Sequence, residues 1–222
     1  MNVISFSLWG DRPIFIDGAR INVFLAREVY PGWKVRIYCA SDMPSELIAE
    51  LRDMGADCVM MDRRTPWDGL FWRFLAAADP DVDVMLSRDT DSRLNWREQA
   101  AVHEWLESSE PLHIMRDNVR HHAAILGGMW GVRGGFLRKL PDMLYRWRGF
   151  REKNMDQYFL QRHVWPLVRY RHVAHDEYFN MSGPLARPFP PHRPIEPLHF
   201  VGERVNWSPD AYPAWRAGVT DR

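Results

Sequence analysis

Two carboxylates one residue apart, Asp89 and Asp91, follow the apolar run 82–86 in the segment Ser87-Arg88-Asp89-Thr90-Asp91-Ser92. Side chains leaving a strand end at that spacing can both reach one hard cation, directly or through water. Mg²⁺ or Mn²⁺ held there would bridge the two phosphates of a nucleotide diphosphate and offset the charge on a departing diphosphate. The triplet alone is common in surface turns, so its place behind a buried run is what gives it weight. A second candidate is Asp156-Gln157. By its residues alone Asp156 could act as an acid or base, or simply suit a helix N-terminus. Asp117 is a candidate partner for a ligand hydroxyl, and His175-Asp176 a candidate acid–base pair. His121-His122 would point to opposite faces of a strand, so it reads as a loop pair and not as a metal site.

Regular elements must carry these groups. Apolar runs at 3–8, 34–40, 57–61 and 82–86 read as strands. Helical spacing runs between them: Ile21, Phe24, Leu25 and Val29; then Leu47, Ile48 and Leu51 behind a Ser41 or Asp42 cap; then Leu70, Phe71, Phe74 and Leu75. Asn95 and Glu98 resemble a capping pair ahead of Val102, Trp105 and Leu106. Alternation of this kind predicts an α/β fold, a mostly parallel sheet with helices on both faces. Ligands of such sheets bind beyond the carboxyl ends of the strands, which predicts one rim carrying Trp9-Gly10, Arg63-Arg64 and the acidic turn. Runs 112–115 and 125–132 read as further strands, and 134–146 and 155–164 as helices. The stretch 184–222 is Pro-rich but keeps Phe189, Phe200, Trp207 and Trp215, which predicts an extended arm packed on a single domain spanning 1–222.

Composition narrows the function classes. The 222 residues are 46% hydrophobic and 26% charged, with 29 basic and 29 acidic side chains. That balance disfavours a general nucleic-acid or acidic-membrane binder. No apolar run approaches the roughly 20 residues of a membrane helix, and the opening lacks a basic n-region; the expectation is a cytoplasmic protein. Cys39 and Cys58 sit inside apolar runs and read as buried thiols in a reducing compartment. Dehalogenase-type phosphatases carry Asp-x-Asp on their first strand, whereas here it comes far later and Arg93 stands at their Thr/Val position. A dinucleotide fold would show Gly-x-Gly-x-x-Gly after its first strand, where Trp9-Gly10-Asp11-Arg12 stands; no Walker A sequence occurs.

The assembled motifs resemble GT-A glycosyltransferases, most nearly the glycogenin-like group and the small glycosyltransferase domains of large algal DNA viruses. The resemblance runs over about 1–207. Phe71-Trp72-Arg73-Phe74 resembles the family's Arg-bearing helix, Asp89-Thr90-Asp91 its metal motif, and Asp156-Gln157 the segment beside the sugar's reacting carbon. His199-Phe200-Val201-Gly202 with Trp207 resembles the family's His-x-x-Gly-x-x-Lys-Pro-Trp, although Val205 replaces the Lys and Asn206 the Pro. The resemblance implies a metal site of Asp89, Asp91 and His199 for Mn²⁺ or Mg²⁺. It implies donor contacts from Trp9, Arg73, Thr90, Gly127, Gly128 and Gly202, with Arg204 standing in for the absent Lys. The implied reaction moves a sugar from a nucleotide diphosphate, with uridine the commonest base by analogy, to a glycan or other hydroxyl acceptor. Retention or inversion, and oligomeric state, are left open. Two other classes remain: a non-catalytic nucleotide-sugar or carbohydrate-binding module, and a metal-dependent nucleotide diphosphate hydrolase.

Overall fold

A computed structural model describes residues 1–65, 67–147, 153–191 and 199–205. The first half of the chain alternates as the spacing predicts: β1 (Asn2–Leu8), α1 (Pro13–Val29), β2 (Lys34–Ala40), α2 (Ser45–Asp53) and β3 (Asp57–Met61). The elements α3 (Gly69–Trp72), β4 (Val84–Ser87), α4 (Trp96–Leu106) and β5 (Leu112–Arg116) follow. After them come β6 (Trp130–Arg133), α5 (Leu140–Arg146), α6 (Met155–Phe159), α7 (Trp165–Val168), β7 (His172–Asp176) and β8 (Ala186–Arg187).

These strands form one eight-stranded sheet in the order β3-β2-β1-β4-β6-β5-β7-β8. Strand β6 runs antiparallel to both β4 and β5, and every other pairing is parallel. The sheet is therefore mixed and mainly parallel. Strand β1 lies near its centre, and Val3, Ile4, Phe6 and Leu8 are each at most 1% exposed. A strand covered on both faces reads as a continuous apolar run rather than an alternating one, which is why it was visible in the sequence.

Several boundaries differ from the sequence expectation for identifiable reasons. Ser41 and Asp42 do not cap α2; the helix starts at Ser45, behind Pro44, without a side-chain cap. The predicted helix beyond Asp68 is only one turn of α helix, followed by a 3₁₀ turn at Leu75–Ala78. The run 125–132 enters the sheet only at Trp130, because Gly127-Gly128 is held as a loop against carboxylates. Gly135 has φ +82°, and the helix predicted from 134 begins at Leu140. The predicted helix 155–164 is continuous, but its second half, Leu160–Val164, is a π turn. Asn95 caps α4 as expected, its side chain accepting the Glu98 N–H at 3.1 Å. Strand β7 was not foreseen, since its residues include two histidines and an aspartate.

The described part of the C-terminal arm packs onto the domain. Phe189 and Val201 join Ala101, Met115 and Met129 in a second apolar cluster. Asn206, Trp207 and Trp215 lie outside the described residues. Cys39 and Cys58 are free and buried. No helix among the described residues is long and apolar enough to cross a membrane.

Candidate active site

Strands β1 and β4 run side by side, and their carboxyl ends open onto a cleft of about 460 Å³. Its lining includes Trp9, Arg73, Asp89, Thr90, Asp91, Gly127, Asp156, Gln157 and Arg204, so six separated segments of the sequence meet in one place. The acidic turn is built by buried backbone contacts. Asn22, on α1 and 1% exposed, donates through Nδ2 to the carbonyls of Ser92 at 2.8 Å and Thr90 at 3.4 Å. Its Oδ1 accepts the Leu94 N–H at 3.0 Å, so one amide grips the loop on both sides. A Cβ at Gly18, one helical turn earlier, would strike the Thr90 carbonyl. The Arg93 guanidinium also donates to Thr90 O at 3.0 Å and Ser92 O at 2.8 Å.

Arg73 is the hub of the cleft. Its backbone N–H donates to Ser7 Oγ of β1 at 2.9 Å, which fixes the end of α3 to the sheet. Its guanidinium reaches Asp89 Oδ1 at 3.0 Å and Asp156 Oδ2 at 2.8 Å, while Nε donates to Gly127 O at 3.2 Å. Ser87 Oγ donates to the same carbonyl at 2.7 Å. The planar fork is what allows one side chain to join two carboxylates and a carbonyl. The two glycines make room for it: a Cβ at Gly127 would overlap Asp156 and the Arg73 guanidinium, and one at Gly128 would overlap the Asp89 carboxylate. Close approach, not turn formation, accounts for both.

Electrostatics follow from this crowding. Burial, then the neighbouring negative charge of Asp89, raises the Asp91 carboxyl to about 6, against the pull of Arg204 and Arg73. Burial also raises Asp156, and the Arg73 charge opposes it. Arg204 Nε lies 3.2 Å from Asp91 Oδ2, and the Val205 N–H donates to the Asp91 carbonyl at 2.8 Å. Val205 is 1% exposed, so a lysine could not simply be restored at that position without burying its charge. The cation at this side of the cleft is Arg204.

Two carboxylates lining one cleft fit Mg²⁺ or Mn²⁺. Magnesium commonly uses one or two protein carboxylates and completes its shell with water and substrate phosphates. The third ligand implied by the family resemblance is not brought to them. His199 is 80% exposed in its side chain, has Nδ1 3.2 Å from Glu203 Oε1, and does not line the cleft. Among the described residues no group of three or more His, Cys, Asp or Glu side chains could hold a metal.

Other candidates are placed elsewhere. Asp117 is buried, pairs with Arg97 Nε at 2.8 Å and accepts the Val201 N–H at 2.9 Å; it ties the arm to the domain and does not face the cleft. Gly202, at φ +79°, packs on Met129 outside the cleft. His175 and Asp176 alternate across β7: His175 meets His113 and Glu104, while Asp176 is paired with the buried Arg116. Neither forms an acid–base pair with the other. Arg63 pairs with Asp42 and Arg64 lines a neighbouring cavity, so the predicted rim holds only Trp9 and the acidic turn together. Trp9 lines the cleft, edge-on to Trp72 at 6.3 Å and against Gly69. Sequence reasoning missed Asn22, Gly18 and Lys153, the last also lining the cleft. Gly18 and Asn22 did leave a trace: two poor helix formers four apart in an otherwise apolar helix.

No family model matches the chain, and no curated protein matches it in sequence. Solved structures do share its fold. One is a glycosyltransferase involved in glycosylation of the major capsid of PBCV-1, at TM-score 0.50 and 14% identity, covering 79% of this chain and 81% of that one. Another is the mannosyltransferase PcManGT from Pyrobaculum calidifontis in complex with GDP-Man and Mn²⁺, at TM-score 0.51 and 11% identity. That match covers 79% of this chain and 55% of the mannosyltransferase. A third is galactosyltransferase LgtC in complex with donor and acceptor sugar analogs, at TM-score 0.51 and 13% identity, covering 81% and 74%. The chain has the GT-A fold.

Proposed function

We propose that this chain is a glycosyltransferase that transfers a sugar from a nucleotide diphosphate donor to a hydroxyl acceptor. The observation that carries the proposal is the Arg73 fork, which joins the acidic turn to Asp156 beneath two glycines in a cleft at the carboxyl ends of β1 and β4. In this reading Asp89 and Asp91 hold Mn²⁺ or Mg²⁺ with the donor, and His199 is not a ligand. Such a cation would supply charge neutralisation of the leaving diphosphate. Arg204 and Arg73 add fixed positive charge on two sides of the same phosphates, and the Trp9 ring offers a face for the nucleobase. Gly127 and Gly128 leave room for the Arg73, Asp156 and Asp89 side chains that would face the donor. Asp156, locked by Arg73 and by the Gln157 N–H at 3.0 Å, serves as a fixed negative group beside the reacting carbon. Asp117 and Gly202 position the arm that delivers Arg204.

The deciding experiment is calorimetric titration of UDP, GDP and dTDP, and of their common sugars, with Mn²⁺ and then with chelator. Micromolar binding that disappears on chelation is the expected result and identifies the nucleobase. Absence of binding by all of them would sink the proposal. Donor turnover that rises on adding a glycan separates a transferase from a binding module, and phosphate release from simple nucleotides would mark a hydrolase.

A further inference from the structure

A buried charge cluster lies on the side of β4 turned away from the cleft. Arg88 and Glu98 are each 2% exposed, and Arg88 Nε donates to Glu98 Oε1 at 3.1 Å. The Tyr30 hydroxyl, at the end of α1, donates to the same oxygen at 3.1 Å. Side chains alternate across an extended chain. Ser87 and Asp89 point to the cleft side, Ser87 onto Gly127 O and Asp89 onto Arg73, so Arg88 points the other way, between α1 and α4. Its Nη1 donates to Ser87 O at 2.8 Å and to Trp130 O at 3.1 Å. Ser87 and Trp130 are the last register pair of β4 and β6. Beyond that rung the two chains part, and they bring Asp89 and Gly128 face to face with no space for a Cβ between them.

We infer that Arg88 is a positioning residue for the acidic turn, acting through Asp89. Its side chain closes the last rung from the far side, while its backbone N–H donates to Ser5 O of β1 at 3.0 Å. The point from which Asp89 leaves the sheet is thereby tied to β1, β6 and α4 at once. A slip of one residue here would turn Asp89 towards the core and Arg88 into the cleft. The pair with Glu98 opposes that slip, because the slip would break it. Glu98 is itself fixed in the first turn of α4, where its backbone N–H donates to Asn95 Oδ1 at 3.1 Å. Packing alone does not call for these charges, since a buried ion pair is often no more stabilising than apolar side chains of similar volume. What the guanidinium adds is direction: it joins two carbonyls and a carboxylate, which no apolar side chain can do. The consequence for metal and nucleotide rests on the transferase reading; the placement of Asp89 does not.

The test replaces the cluster in the full chain by Tyr30→Phe, Arg88→Met and Glu98→Leu combined. Hydrogen exchange is followed without metal or nucleotide at the amides of Ser92, Leu94 and Met129, each hydrogen-bonded in or beside the turn. Exchange there is expected to quicken about tenfold relative to the amides of β7, at a denaturant midpoint close to that of the wild type. Calorimetric affinity for UDP, GDP or dTDP with Mn²⁺ is expected to fall about tenfold. Ile48→Ala, in the core beside α2, is the control: it should lower the midpoint further and leave both local readouts unchanged. Should the triple variant not fold, Arg88→Lys serves, because one ammonium cannot stand where both Nε and Nη1 stand; the same local rise is expected, smaller in size. Exchange at the three amides within about twofold of wild type, in either folded variant, overturns the inference. So does undiminished nucleotide affinity in the triple variant when the wild type binds. A wild type that binds none of the three nucleotides sinks the transferase reading instead, and the exchange rates still decide the role of Arg88.

Discussion

The Arg73 guanidinium donates to Asp156 at 2.8 Å across 83 residues of sequence, and both side chains are at most 5% exposed. Removing one member of a buried pair leaves the other charge without compensation. Arg73→Ala is therefore expected to cost about 3 kcal/mol in denaturant unfolding and to abolish transfer. Arg73→Lys should recover part of the stability but little activity, because an ammonium cannot fork to Asp89, Asp156 and Gly127 O at once. Equal activity in the lysine variant would remove the fork from the mechanism.

Gly128 faces the Asp89 carboxylate with no space for a methyl group. Gly128→Ala should push Asp89 out of line, costing about 1–3 kcal/mol and weakening Mn²⁺-dependent nucleotide binding. Calorimetry on the variant, compared with Gly10→Ala outside this contact, distinguishes displacement of the carboxylate from general strain.

Asp91 is buried beside a like charge, so its ionised form is a burden to the free protein. Asp91→Asn is expected to abolish metal-dependent nucleotide binding while leaving the thermal midpoint equal or higher, a separation typical of groups retained for function. Unchanged nucleotide affinity would remove Asp91 from the metal site.

Asn22 touches no ligand in the proposed site, yet it holds Ser92, Thr90 and Leu94. Asn22→Ala should cost about 1–3 kcal/mol through unmet buried backbone groups and should also weaken metal-dependent binding. If stability falls and affinity does not, the loop keeps its shape without this amide.

Acid stability depends on buried histidines. His113 Nε2 lies 2.8 Å from His175 Nδ1, and His175 Nε2 is 3.1 Å from Glu104 Oε2. Burial holds His113 well below its ordinary value, lowers His172 and His175, and takes His121 down to about 4. These rings stay neutral when folded but take up protons near pH 6.5 when unfolded. Their contribution is complete above about pH 6.5 and is lost as pH falls below it, by up to ~1.4 kcal/mol per pH unit for each ring. Asp91, raised in the folded state, acts in the opposite direction at lower pH. Urea midpoints in chelator should drop between about pH 7 and about pH 5, and drop more steeply in Asp91→Asn. A flat profile would mean the unfolded chain shares the shifts.

What was legible in the sequence is what local pattern encodes. The run that became β1 is apolar because that strand is covered on both faces, the edge strand β3 is apolar although Met60 is exposed, and Asp89-Thr90-Asp91 stood out because it follows the buried run of β4. Asn95 announced the start of α4 by its own side-chain chemistry. Tertiary structure alone decided which distant groups meet. Arg73, Gly127 and Asp156 carry no mark of their convergence, since a surface arginine, a tight strand glycine and a helix-starting aspartate look the same in sequence. The antiparallel insertion of β6 between β4 and β5 brings the two glycines beside the acidic turn. Strand β7 stayed hidden because its polar side chains find buried partners, Asp176 on Arg116 and His175 on His113. His199 matched a motif in one dimension, but its side chain pairs with Glu203 four residues on, a local contact that spacing could not tell from a metal bond.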